Sequence, residues 1–175
     1  MYSLKHKSGI KSGFTISELM VAITVFTAVA AGASISFSMG IRAYRQAAAE
    51  SDAASRTSTT LSRIAYGVGD SCGLRAAFIP VTTLSSSTGW NITFSVPKGL
   101  SGGDVQVNQL RYNKDDKTIS YKAGNNPNWT VIGKNIIDST IAASQTSVQV
   151  MVRSISVVGN KRTINEKTST IAFRN

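Results

Sequence analysis

The stretch KSGFTISELMVAITVF, Lys11 to Phe26, decides how this chain is read. A lead containing lysine and glycine turns abruptly into apolar sequence, and one carboxylate, Glu18, stands just inside the boundary. From Leu19 to Met39 the chain carries no charge and no proline. As a helix rising about 1.5 Å per residue, this run would span roughly 30 Å, the thickness of a bilayer's hydrocarbon core. The alanines, serines, threonines and Gly32 in it make it less greasy than a purely lipid-facing anchor. Small residues let helices approach closely. The run from Leu19 to Met39 is therefore expected to cross a membrane and to pack on other helices. Gly32 itself reads either as a point of close packing or as an ordinary small residue.

The lead MYSLKHKSGIKSG carries Lys5, Lys7 and Lys11 and no acid. The positive-inside tendency keeps such a lead cytoplasmic and sends the rest of the chain across. Arg42 and Arg45, at the far end of the apolar run, oppose that tendency. A secretory signal peptide is the rival reading, with AGASIS as its cleavage site. Its apolar core would be about 7–15 residues. The run here is longer and continues into helical sequence.

The residues Gly13, Phe14 and Glu18, followed by a full-length apolar run, resemble the N-terminus of the type IV pilin family, which includes the pseudopilins of type II secretion. The resemblance reaches from the lead to about Gly40, under a quarter of the chain. It implies that a prepilin peptidase cuts between Gly13 and Phe14 on the cytoplasmic side and methylates the new amino group of Phe14. The mature chain would run from Phe14 to Asn175. Losing Lys5, Lys7 and Lys11 would lower its formal charge from +10 to +7. The resemblance also implies a role for Glu18. A carboxylate at the start of a membrane helix costs a few kcal/mol unless it is paired or lies near the interface. In a filament, Glu18 of one subunit would meet the N-terminal amine of Phe14 in a neighbour, setting axial register. In a water-poor core, leaving either charge alone is costly. Without the resemblance, Glu18 reads as a carboxylate at headgroup level or at a helix N-terminus. Thr15 and Ser17 fit either a helix cap or contacts with the peptidase.

Beyond the apolar run, GIRAYRQAAAESDAASRTSTTLSRIAY is rich in alanine and free of proline, which favours helix. Leu61, Ile64, Ala65 and Val68 follow the spacing of one buried helical face. One helix from about Thr15 to about Tyr66 is expected, ended by GVGDSCG. The Ser/Thr run SDAASRTSTT leaves open a linker between two helices. The C-terminal region reads as strands. NITFSV alternates in and out. NQLRYNKDDKTISYKAG is a hairpin signal. Val148, Val150 and Val152 share one face of SVQVMVRSISVV. STIAFRN reads as a short last strand, NNPNW as a turn, and NIIDSTIAA is left unassigned. The fold class is α+β, with a long N-terminal helix packed on a C-terminal antiparallel sheet. The family implies the same architecture. The expected organisation is a leader over 1–13, a transmembrane and filament-core helix over 14–40, the extracytoplasmic half of the helix with its exit loop over 41–72, and a β-rich head over 73–175.

Composition narrows the function. Apolar content is 42% and charged content 16%, too apolar for a disordered tail. The single cysteine, Cys72, forbids an intrachain disulfide. It reads as a buried free thiol, with an intermolecular bridge left open. One histidine, His6, lies in the lead, so a His/Cys metal cluster and a His-dependent triad within one chain are both excluded. Asp115 and Asp116 are adjacent in a hairpin turn and lack the spacing of a calcium loop. GLSGGD around Gly102 reads as a loop. Trp90, Trp129 and the five tyrosines are dispersed and read as packing residues.

No enzyme and no cofactor are expected. The reading is a processed, membrane-stored structural subunit of a pilus or secretion pseudopilus. The first proline is Pro80, and no cysteine pair closes a C-terminal loop. Both points depart from the major pilins of the family it resembles, and that resemblance then implies a minor or tip component over a bulk subunit. The partners implied by the resemblance are the prepilin peptidase, other pilin or pseudopilin subunits, an inner-membrane assembly platform and membrane lipid. The implied location is the bacterial inner membrane, single-pass, with the N-terminus cytoplasmic and the head extracytoplasmic, then the filament. Two alternatives remain. One is a minor pilin that holds nucleic acid for DNA uptake, which the charge permits though the basic residues are scattered. The other is a plain membrane-anchored extracytoplasmic protein.

Overall fold

A computed structural model describes residues 13–98, 104–159 and 161–173. The lead up to residue 12, most of the loop around Gly102 and the last two residues lie outside them. The chain divides between Tyr44 and Arg45 into two compact units.

Helix α1 (Ile16–Tyr66) runs unbroken for 51 residues. Its apolar first part is long and apolar enough to cross a membrane. The side chains there are open, with Leu19 55%, Phe26 72% and Phe37 73% exposed. The hydroxyls in this part are satisfied within the helix. Thr24 donates to the Val21 carbonyl at 2.8 Å, Ser34 to Ala30 at 2.8 Å and Ser36 to Gly32 at 3.0 Å. Such back-bonding lets a Ser/Thr-rich helix enter hydrocarbon without carrying unpaired donors.

Among the described residues, the second unit holds the rest of α1 and ten antiparallel strands. The helix ends where Gly67 adopts φ +97, a left-handed conformation that glycine takes without Cβ strain. A built Cβ there would lie 1.8 Å from the Ser71 carbonyl oxygen. The two-residue strands β1 (Gly67–Val68) and β2 (Ser71–Cys72) then pair, followed by a 3-10 turn at Leu74–Ala76. Val68 is thus a strand residue, and the buried helical face stops at Ile64.

Strands β3 (Phe78–Ser86), β4 (Gly89–Pro97), β5 (Val105–Asn113), β6 (Thr118–Lys122) and β7 (Thr130–Lys134) form a five-stranded meander in chain order. Strands β8 (Ile136–Ala143), β9 (Ser147–Val158) and β10 (Lys161–Ala172) form a separate three-stranded sheet with β9 central. The NKDDK turn joins β5 to β6, with Tyr112 opposite Ile119 and Leu110 opposite Tyr121. Val148, Val150 and Val152 are fully buried. Instead of a single sheet, two larger sheets among the described residues, besides the β1–β2 pair, share one core with Leu61 and Ile64 of α1 and Leu74. Trp90 Nε1 on β4 donates to Ser139 Oγ on β8 at 3.2 Å, and that hydroxyl donates to the Met151 carbonyl at 2.7 Å. This polar stitch joins the two sheets inside an apolar core.

The last strand is longer than its apolar pattern suggested. β10 has 12 residues and is an edge strand. Most of its side chains are open, so its first half carries no burial signature. NIIDSTIAA forms β8, and β3 and β7 come from stretches carrying Pro80 and Gly133, which weaken a strand signal.

The Ser/Thr run at residues 51–60 is helix, not linker. Ala49, Ala53, Thr57, Thr60, Leu61 and Ile64 make the buried face. Small side chains there let the helix approach the strands. Thr57 Oγ1 lies 2.6 Å from Ser154 Oγ on β9, and both hydroxyls lie 2.9 Å from the Ala53 carbonyl oxygen. At Gly133 on β7, an added Cβ would come within 2.7 Å of Thr60 Cγ2.

Candidate assembly site at the helix N-terminus

The residues singled out in the sequence fall at the start of α1. Gly13, Phe14 and Thr15 precede the first helical residue, Ile16. Phe14 is 86% exposed, and an added Cβ at Gly13 would meet nothing within 4 Å. Among the described residues, none encumbers the junction between Gly13 and Phe14.

Glu18 has specific partners. Its Oε2 accepts the backbone N–H of Thr15 at 2.9 Å and the Thr15 hydroxyl at 2.9 Å. The Thr15 Oγ1 lies 3.3 Å from the Glu18 backbone nitrogen. The spacing Thr-x-x-Glu gives a capping box, with Thr15 at the N-cap and Glu18 reaching back to it. Two backbone donors that a helix start leaves orphaned are satisfied in this way. A carboxylate in the first turn also complements the positive end of the helix dipole. Ser17 Oγ stands 3.1 Å from Thr15 Oγ1. Of the two readings left open for Thr15, the geometry supports the cap. Its part in holding Glu18 was legible in TISE, because Glu three residues after a Thr at a helix start is the signature of this motif. The carboxylate is held by its own chain, so an isolated helix does not carry it unpaired.

The other candidates lie in the second unit. Asp115 and Asp116 sit on the β5–β6 turn, where both backbone N–H groups point to Asn113 Oδ1. Cys72 is a free, half-buried thiol. Its carbonyl accepts from Asn108 Nδ2 and from the Tyr121 hydroxyl, both at 3.0 Å. Trp90 and Tyr112 are buried, with ring centroids 6.2 Å apart. Trp129 carries the Arg111 guanidinium 4.5 Å from its ring centroid.

Residues 10–34 match the family model described as the prokaryotic N-terminal methylation motif. The match is confined to that short part of the chain, which includes Gly13, Phe14, Glu18 and the apolar run as far as Ser34. No curated protein and no solved structure matches the chain. The motif, with a long apolar helix packed on antiparallel sheets, supports placing the chain among type IV pilins and pseudopilins. These are structural subunits processed by a prepilin peptidase, and the motif carries that processing and assembly with other pilin-type subunits as its consequence.

Proposed function

We propose that this chain is a minor or tip subunit of a type IV pilus or type II secretion pseudopilus. Cleavage falls between Gly13 and Phe14, and the new amine of Phe14 is methylated. The leader is 1–13, the transmembrane and filament-core segment 14–40, the extracytoplasmic half of the helix with its exit 41–72, and the head 73–175. The subunit is stored in the inner membrane through Leu19–Met39 with its N-terminus cytoplasmic, and the assembly platform extracts it.

The observation that carries this reading is the position of Glu18. It lies four residues after Phe14, at the mouth of an uncharged run, with its carboxylate already drawn toward the helix start. In the membrane, Thr15 satisfies Glu18 within the chain. In the filament, the same carboxylate faces the cationic amine of a neighbour's Phe14. That amine exists only after cleavage, so processing makes the stronger partner available. A buried pair of opposite charges outweighs neutral hydrogen bonds only when geometry is good and water is absent. The pair therefore fixes register as well as adding affinity.

Mass spectrometry of the N-terminal peptide from purified membranes tests processing. The expected product begins at Phe14 and carries one methyl group. A chain retaining residues 1–13 overturns the reading.

A further inference from the structure

Among the described residues of the second unit, basic side chains gather where α1 enters it, beside the β9–β10 hairpin. Arg45, Lys161 and Arg162 are exposed. Lys161 Nζ donates to Gln46 Oε1 at 3.0 Å, which ties the hairpin to the helix at that level. Arg162 is the register partner of Val157, which is 58% exposed. A groove of about 660 Å³ lies alongside, and its lining includes Ala48, Lys117, Asn135, Val157 and Arg162. Of the acids near this surface, Asp52 is ion-paired, Glu50 is bonded by a neutral amide, and Asp115 and Asp116 share the β5–β6 turn with Lys117 and bond to Asn113. Glu50 accepts from Gln46 Nε2 at 3.1 Å, and Asp52 holds Arg56 at 2.8 Å and the Ser156 hydroxyl at 3.2 Å. Among the described residues, Arg45, Lys117, Lys161 and Arg162 make no ion pair with a carboxylate.

The chain limits how far this surface can stand from a bilayer. Gln46 lies seven positions beyond Met39, the last residue of the uncharged run. As helix that stretch advances about 10 Å. Drawn out straight it reaches at most about 25 Å. The headgroup region is itself several ångströms deep, and an anionic surface attracts basic groups within about one Debye length.

We propose that Arg45, Lys117, Lys161 and Arg162 dock the head on anionic phospholipid headgroups while the subunit is stored in the membrane, with Val157 entering the interface beside them. This rests on the reading of Leu19–Met39 as the membrane segment. It gives Arg45 a physical role beyond the far end of the apolar run, where the positive-inside tendency disfavours it. Extraction into a filament breaks the docking, so anionic lipid holds the subunit in its stored form.

The test uses the full chain reconstituted into vesicles of phosphatidylcholine, with and without phosphatidylglycerol. A fluorophore is placed at Val157→Cys in a Cys72→Ser background, and at Leu84→Cys as a control site. Lipid carrying a headgroup quencher reports contact. The expected result is quenching at position 157 that requires phosphatidylglycerol, weakens with added salt and stays low at position 84. Lys161→Gln and Arg162→Gln should each lower the docked-to-free ratio about fivefold, while Lys161→Arg with Arg162→Lys preserves it. Equal quenching in both vesicle types, equal anionic dependence at position 84, or no effect of the glutamine variants overturns the docking. A chain that fails to float with either vesicle overturns the membrane reading and the docking with it.

Discussion

Thr57 and Ser154 stand 97 positions apart in the chain, and their hydroxyl oxygens meet at 2.6 Å in a fully buried site. Each hydroxyl owns one proton, and both oxygens lie 2.9 Å from the Ala53 carbonyl oxygen. One hydroxyl must donate to the carbonyl and the other to its fellow hydroxyl. The contact therefore works only as a unit.

Removing both members should cost less than the sum of removing each alone. Ser154→Ala and Thr57→Ala are each expected to lower unfolding free energy by about 1–2 kcal/mol, the worth of a buried hydrogen bond with a small void. The double variant should lose less than the total, with a coupling of at least about 0.5 kcal/mol. Denaturant titration of the full chain in detergent, followed by tryptophan emission, measures this. Strict additivity would show that the hydroxyls do not share a proton arrangement.

Gly133 should tolerate no side chain while Thr60 is present. Gly133→Ala places a Cβ within 2.8 Å of both Thr60 Cγ2 and Thr60 Oγ1. A loss of about 1–3 kcal/mol is expected from overpacking. Thr60→Ala in the same chain should restore part of it. Thermal unfolding of the four chains checks both signs.

Alkaline pH should loosen the head through two tyrosines. Burial pushes the hydroxyl pKa of Tyr121 above its usual value of 10.0, outweighing hydrogen bonds from Ser71 and Asn108 that pull it down. Burial also raises that of Tyr112, and the nearby Asp138 adds to it. In the unfolded chain both ionise near 10, whereas in the folded chain they stay protonated to higher pH. Stability from both is complete below about pH 10 and falls as pH rises through the folded values. Denaturation midpoints should be flat from neutral pH to about 9 and fall beyond 10. Tyr121→Phe should make that fall shallower, and an unchanged slope would remove Tyr121 from this role.

Glu18→Gln should leave membrane storage intact and remove the subunit from filaments. The amide still accepts from the Thr15 N–H, but it offers no charge to a neighbouring amine. Incorporation relative to the parent should fall about a hundredfold, corresponding to roughly 3 kcal/mol for a broken buried pair. The ratio of sheared-filament to membrane fractions reads this directly. Equal incorporation would reduce Glu18 to a helix cap.

Much of the N-terminal architecture was legible because its physics is local. The uncharged run from Leu19 to Met39, the alanine-rich, proline-free stretch after it and a glycine-rich stop favour one helix through local propensity. Alternation marked β4 and β9, and alternation around a polar NKDDK turn marked the β5–β6 hairpin, because runs of their inward residues, such as Ile92, Phe94, Leu110, Tyr112, Val148, Val150 and Val152, are apolar at every second position. The Gly13, Phe14 and Glu18 pattern was readable as a resemblance to the pilin N-terminus, because its meaning comes from that family.

What the sequence could not decide depended on partners distant in the chain. SDAASRTSTT weakened the expectation of one continuous helix and left a linker open; Ser154 and Gly133 supply the surfaces that its small residues fit. β10 shows little apolar pattern because an edge strand is held by backbone pairing with β9, not by burial. The division into two sheets follows from the path between Lys134 and Ile136, where Asn135 takes φ +59 and the chain leaves one sheet for the other. Local propensity acts over a few residues and is written in order along the chain. Close packing acts between surfaces, and only the folded chain brings those surfaces together.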